Sequence, residues 1–426
     1  MTINMKKKDT VAIPFTSYQK FVILILALTQ FSVILDFMVM SPMGDMLMKA
    51  LSLRPQQFGW AVSAYAFSAG ISGLLTAGFA DRFDRKKLLL FFYTGFIAGT
   101  FFCGFATSYP LLIAARIITG LFGGVIGSIS MAIITDLFDI HHRGRVMGFV
   151  QMGLGASQVL GIPISLYIAN IWGWRSPFLM VAGLATLVLL LIVVRLQPVT
   201  KHLVAQTKQN AFMHLWNTVA QRDYRIGFLA TAILSVGGFM MMPFGTAFAI
   251  NNLHITQEQL VPLFMVSGVS SLIIMPLVGK FSDKIDKFKL FAIASVWMMI
   301  VVVCYTHLSV TPLWEVMCFN VLMMMGIMSR MVPSSALVTG IPEMRDRGAF
   351  MSVNASLQQI SGGIAAGVAG LIVVQKSNAG TVKGALIPLE HYDTLGYVMV
   401  GISMVSVLLL YRVSVMVKKK LAEKVL

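Results

Sequence analysis

Twelve apolar stretches, each about the 20 residues that a membrane crossing needs, run through this 426-residue chain. They lie near residues 20–44, 57–80, 88–106, 110–136, 146–170, 175–195, 226–250, 258–280, 288–307, 311–338, 348–375 and 393–416. At about 1.5 Å of rise per residue, such a segment spans roughly 30 Å of hydrocarbon. Nothing in hydrocarbon can hydrogen-bond an open backbone, so consecutive crossing segments of this length fold as helices. The expected class is therefore an all-α membrane protein with twelve transmembrane helices. Hydrophobic residues make up 57% and charged residues only 12%, too apolar for a soluble domain of this size. The first run is too long for a signal peptide and lacks a small-residue cleavage site, so it reads as a true first span.

Two charged strings interrupt these runs 202 residues apart: Asp81-Arg82-Phe83-Asp84-Arg85 and Asp283-Lys284-Ile285-Asp286-Lys287. Acid, base, apolar, acid and base recur in register, and each string follows a long hydrophobic run. Arg143-Gly144 lines up with Arg347-Gly348 at nearly the same offset. The chain is thus read as two related halves, with a six-helix bundle over 1–196, a cytoplasmic linker over 197–225 and a second six-helix bundle over 226–426. Repeated halves made of membrane-length segments are an architecture of transporters.

A net charge of +16 raises the question of a nucleic-acid partner, and the placement of the charges answers it. With the N-terminus inside, 26 of the 33 Lys and Arg fall in cytoplasmic segments, five fall outside, and Arg116 and Arg330 fall within spans. This is the positive-inside bias, so the basicity reports orientation and no nucleic-acid partner is expected. Both termini are placed in the cytoplasm, in an inner membrane crossed many times. Cys103, Cys304 and Cys318 lie in apolar segments at unrelated spacings, which predicts small buried residues and no metal site.

The string Ala77-Gly78-Phe79-Ala80-Asp81-Arg82-Phe83-Asp84-Arg85-Lys86 resembles the loop G-x-x-x-D-R-x-G-R-K between spans two and three of the major facilitator superfamily. Ala77 and Asp84 depart from that pattern. In the second copy Gly279 and Asp283 keep register, and Asp286 again takes the internal glycine slot. The resemblance covers nearly the whole chain. It implies two pseudo-symmetric six-helix bundles around a central cavity, alternating access and no enzymatic activity. It also implies a conformational switch at Asp81, Arg82, Arg85, Asp136, Asp283 and Lys287, in which an acid faces the positive end of a neighbouring helix and Arg85 pairs with Asp136.

Span four carries Arg116-Ile117-Ile118-Thr119-Gly120, similar to the family's R-x-x-x-G motif, and span one carries Asp36. Charges within spans are costly and face a bundle interior or an aqueous cavity. Asp36 lies about 24 Å from the cytoplasmic end of its span and Arg116 about 9 Å from the outer end of its own. The two share a depth, and they are read as a proton-coupling pair. The alternative puts Asp36 on the outer surface of a shorter span, because Ser41, Pro42, Gly44 and Asp45 follow closely. Arg330, about 28 Å from the outer start of span ten, is expected to snorkel to the cytoplasmic interface.

Substrate contacts are expected from Gln158 in span five, from Phe239, Met240 and Phe244 in the Gly/Pro-softened span seven, and from Asn354, Gln358 and Gln359 in span eleven. Softened helices near a repeat interface are where transporter sites lie, and Met and aromatic faces adapt to several apolar ligands. No phosphate loop, H-E-x-x-H helix or G-x-S-x-G elbow is present in the sequence, which leaves no motif for ATP-driven or hydrolytic chemistry. The resemblance lies closest to the twelve-span drug:proton antiporters. A proton-coupled exporter of amphipathic small molecules is therefore expected, monomeric in the bilayer and without a cofactor. The alternatives are an uptake carrier for a metabolite or siderophore, proton-coupled or facilitative, and a non-transporting receptor on the same fold.

Overall fold

The computed structural model describes residues 15–77, 82–200, 211–343, 346–375 and 386–423. Among these residues, twelve helices are long and apolar enough to cross a membrane: Ser17–Val39, Pro55–Thr76, Arg85–Phe105, Tyr109–Leu137, Arg145–Trp172, Ser176–Arg195, Arg222–Asn251, Leu260–Ser282, Lys287–Thr306, Leu313–Val338, Arg347–Ile372 and Tyr392–Lys420. We number them as spans one to twelve. They form two six-helix bundles. An even number of crossings puts the start of span one and the end of span twelve at one face, here termed the termini face, and the loops after odd-numbered spans at the opposite, distal face. The interval expected as a linker holds a ten-residue helix, Ala211–Ala220, and span seven begins at Arg222, ahead of the expected boundary at 226. A two-stranded antiparallel ribbon, Val374–Gln375 with Leu389–Glu390, follows span eleven.

Local chemistry explains the two aspartates that depart from the family pattern. Asp84 is the N-cap of span three, and its carboxylate accepts from the backbone N–H of Lys86 at 2.9 Å and of Val199 at 2.9 Å. Asp286 caps span nine in the same way, accepting from Phe288 at 3.0 Å and Lys289 at 3.1 Å. Each thus satisfies donors that a helix start leaves open. The hydrogen bond from Lys418, whose Nζ lies 2.7 Å away, is the main cause that holds the Asp286 carboxyl below its ordinary value, against the opposing effect of burial. A depressed folded value means the contribution is full at neutral pH and fades only as pH falls below the ordinary 3.8. Asp286→Ala is therefore expected to cost about 1 kcal/mol at pH 7, read as a lower Tm, with the difference from the parent shrinking towards pH 3. A Tm gap that grows on acidification would contradict this.

Proline and glycine set the irregular places. Pro163 lacks an N–H and crowds the preceding turn, and span five opens into a π-helical turn over Ser157–Gly161 just ahead of it. Span seven breaks around Pro243 into a 3-10 turn, Met242–Phe244, and a last helical piece, Gly245–Asn251. The bundles meet chiefly where span two packs on span eleven and span five on span eight. Gly59 is needed at the first contact, since a Cβ there would stand 2.7 Å from the Ala366 carbonyl oxygen. Gly268 is needed at the second, at 2.8 Å from the Gln158 carbonyl oxygen. Close helix approach through small residues substitutes for hydrophobic driving force, which apolar lipid cannot supply.

Two expectations are corrected here. Cys304 and Cys318 are exposed on the protein surface, and only Cys103 is buried; their positions on spans nine and ten turn outward. Arg330 does not snorkel. It is 5% exposed, its Nη2 donates to Ser406 Oγ at 3.2 Å, and its guanidinium lies 5.6 Å from the Phe291 ring centroid. A ring face and a hydroxyl inside the bundle hold the head that the sequence sends to the interface.

Candidate functional site

Asp36 stands in the last turn of span one, three residues before Val39, yet it is fully buried, so the surface alternative does not hold. Asp36 and Arg116 are both 0% exposed. Arg116 Nη1 donates to Asp36 Oδ2 at 2.9 Å, and Thr100 Oγ1 of span three donates to Asp36 Oδ1 at 3.2 Å. The guanidinium lies 4.5 Å from the centroid of the Tyr65 ring of span two, a cation–π contact. Four helices thus converge on one ion pair. Nε and Nη2 of Arg116 are buried without a partner among the described residues, so the protein satisfies the pair only in part. Two ions out of water are stable only while each has the other. Neutralising the acid therefore has to coincide with wetting or moving the base.

Phe37, the next residue along the chain, connects this pair to the space between the bundles. Its ring packs on Tyr65 at 5.2 Å and edge-on to Phe239 of span seven at 6.4 Å. A narrow cavity of about 10 Å³ lies between Phe37 and Val62 on one side and Phe239, Met242, Gln359 and Gly362 on the other. That is room for a single water, against roughly 300 Å³ or more for a drug-sized ligand.

Of the expected substrate residues, Phe239 and Gln359 line this cavity together. Gln158 lies at the contact of span five with span eight, where its Oε1 accepts from Ser271 Oγ at 2.9 Å. Met240 and Phe244 are 1% and 0% exposed. Both sit in the apolar core, with Phe244 against Phe58 at 5.9 Å. Asn354 is half-buried with its carbonyl oxygen unpartnered, and Gln358 is exposed. Of the expected switch residues, Arg85 Nε and Asp136 Oδ2 are 3.3 Å apart, while Arg82 is exposed and Lys287 half-buried. Asp81 and the side chain of Asp283 lie outside the described residues.

Sequence reasoning missed a polar seal that joins the bundles in the distal half. Ser41 Oγ donates to the Met242 carbonyl, and Thr246 Oγ1 donates to the Ser41 carbonyl at 3.3 Å. Asp45, 1% exposed, accepts from Asn251 Nδ2 at 2.6 Å and Gln257 Nε2 at 3.2 Å, both from the other half of the chain. Lys49 Nζ adds an ion pair to Asp45 at 2.8 Å, and Asn170 Nδ2 donates to the Gln257 carbonyl at 3.2 Å. Deeper in, Ser63 Oγ donates to the Gly363 carbonyl at 2.7 Å. The sequence puts Asp45, Asn251 and Gln257 outside the expected spans and Ser41, Ser63, Asn170 and Thr246 within them; only their partners across the bundles give them a role.

Two bundles of six helices, a charged pair buried in one of them and a cavity between them are the parts of a membrane carrier. The sequence profile of the Major Facilitator Superfamily matches residues 26–366, and the chain belongs to that family. A protein of Bacillus subtilis (strain 168) described as an uncharacterized MFS-type transporter, YceJ, is 26% identical over 257 residues, which is 60% of this chain and 65% of YceJ. Multidrug resistance protein fnx1 of Schizosaccharomyces pombe (strain 972 / ATCC 24843) is 34% identical over 119 residues, 28% of this chain and 22% of fnx1. The chain therefore matches less than two thirds of the length of either curated relative. Among solved structures, a D-xylose–proton symporter superposes with a TM-score of 0.76 at 17% identity, covering 93% of this chain and 98% of the symporter. At that identity the likeness concerns the fold alone.

Proposed function

We propose that this protein is a proton-coupled exporter of amphipathic small molecules that works by alternating access. One observation carries the reading: the buried Asp36–Arg116 pair adjoins Phe37, whose ring both lines the inter-bundle cavity and packs on Tyr65 beneath the guanidinium. Substrate in the cavity and charge in the pair are thus one contact apart. The termini face is assigned to the cytoplasm by its excess of Lys and Arg. With the distal half sealed, substrate enters from the cytoplasm and spreads the cavity walls. When the distal seal opens, water reaches Asp36 from outside and the acid takes a proton. Arg116 is then no longer held by a carboxylate, and substrate leaves. Return to the cytoplasm-open state carries the proton inward, and its loss restores the pair. Arg85 with Asp136, together with Asp81, Arg82, Asp283 and Lys287, closes the cytoplasmic side during the outward-open phase. The multidrug description of fnx1 agrees with an amphipathic substrate class.

Purified protein in sealed vesicles with an imposed pH gradient tests this reading. Uptake of amphipathic dyes into acid-inside, inside-out vesicles is expected. Flux in the opposite sense indicates an importer, and saturable binding without any flux indicates a receptor; either result refutes export. Phe239→Ala removes an aromatic wall and is expected to weaken dye binding about tenfold or more, for about 1.5–3 kcal/mol of lost apolar burial. Unchanged affinity would move the substrate site elsewhere.

A further inference from the structure

The two bundles hold different charge. In the first, Arg116 has a ring beneath it and a carboxylate 2.9 Å away. In the second, Arg330 has the ring of Phe291 and the hydroxyl of Ser406, and no carboxylate partner among the described residues. It is nonetheless 95% buried, since only 5% is exposed, and its Nε has no hydrogen-bond partner. Ser406 turns its own O–H to the Ser403 carbonyl at 2.7 Å and so offers Arg330 a lone pair only. The second-half spans provide no acid at this depth. Asp223, Glu315 and Asp393 each stand in the first turn of their helix. Arg330 stands eight residues from Val338, the end of span ten, about 12 Å into the helix. A lone cation at such depth is expensive, and retained intramembrane charges face a partner or a ligand.

The geometry points to Arg330 as a receptor for one anionic group, a carboxylate or phosphate carried on an amphipathic molecule. Both cations lie against an aromatic ring, but Arg330 has a hydroxyl where Arg116 has an acid, and its Nε is a donor that the described residues leave unused. A planar guanidinium supplies charge-assisted, oriented hydrogen bonds to such oxygens. The group has two possible carriers, a transported amphipathic acid or an anionic lipid. This assignment is independent of proton coupling at Asp36, because it concerns binding in the absence of a gradient.

The test uses the full-length protein in nanodiscs of neutral phosphatidylcholine, with thermal unfolding followed against octanoate and, as the uncharged control, octanol. Octanoate is expected to raise the Tm of the parent where octanol does not. Arg330→Gln is expected to bind octanoate at least about tenfold more weakly, as a lost hydrogen bond between charged groups implies. Ser406→Asp supplies the missing carboxylate within the protein. It should raise the Tm without any additive and abolish the octanoate response, and it decides the matter if Arg330→Gln does not fold. A second arm replaces part of the lipid with phosphatidylglycerol. Stabilisation by that lipid that Arg330→Gln or Ser406→Asp removes supports the site and identifies lipid as the carrier. Equal responses in parent and variants, or no anion-specific response in either arm, overturns it.

Discussion

Asp36→Asn is expected to reduce proton-gradient-driven flux to the level of protein-free vesicles while leaving ligand binding measurable. Asparagine keeps the size of the side chain and can still accept from Thr100, but it cannot take up or release a proton. It also leaves Arg116 buried without its counter-charge, and removing one partner of a buried pair typically costs about 3–5 kcal/mol. The variant should therefore unfold at a distinctly lower temperature than the parent. Arg116→Lys keeps the charge but loses the planar group that lies over Tyr65 and reaches Asp36, so it should also fail to couple. The two readouts separate coupling from folding. If Asp36→Asn is folded, binds dye and transports at the parental rate with unaltered pH dependence, the proton-coupling site is elsewhere.

The architecture was legible in the sequence because bilayer physics leaves few options. Twelve long apolar runs had to become twelve helices, and their positions agree with the observed spans to within a few residues. The Asp36–Arg116 pair was legible for a related reason. Charges are so rare in these spans that two at one depth had few alternatives to each other. Arg330 shows where that logic stops. Depth along a helix is encoded in residue number, but direction around it depends on which neighbours are present, and Phe291 and Ser406 hold the head inward. The cavity was half legible. Phe239 and Gln359 face it, while Met240, about 100° further round the helix than Phe239, and Phe244, in the 3-10 turn at Pro243, turn into the core. The distal seal was hidden for yet another reason: Asp45, Asn251 and Gln257 fall just outside the expected spans, and nothing marks them until two halves of the chain bring them together.

That seal leads to the second large effect. Asp45→Ala is expected to shift the protein towards a state open at the distal face. Asp45 is the shared acceptor of Asn251 and Gln257 across the bundles and of Lys49 within a short helix, Gly44–Ala50, that follows span one. Hydrogen bonds to a charged group contribute about 1.5–3 kcal/mol each, so losing both cross-bundle bonds raises the open fraction by well over about tenfold if the closed state relies on them. Opening does not leave the amides stranded, because water takes their hydrogen bonds once the bundles part. The closed state, by contrast, would hold Asn251 and Gln257 against an apolar methyl. A cysteine placed at Val62, on the cavity wall, reports the change in a background with Cys103, Cys304 and Cys318 replaced. A membrane-impermeant thiol reagent applied at the distal face should label it many times faster in the Asp45→Ala protein than in the parent. Asp45→Asn, which can still accept one bond but carries no charge, should fall between them. Distal labelling that is equally slow in all three proteins would mean that Asp45 is held by the closed state without holding it shut.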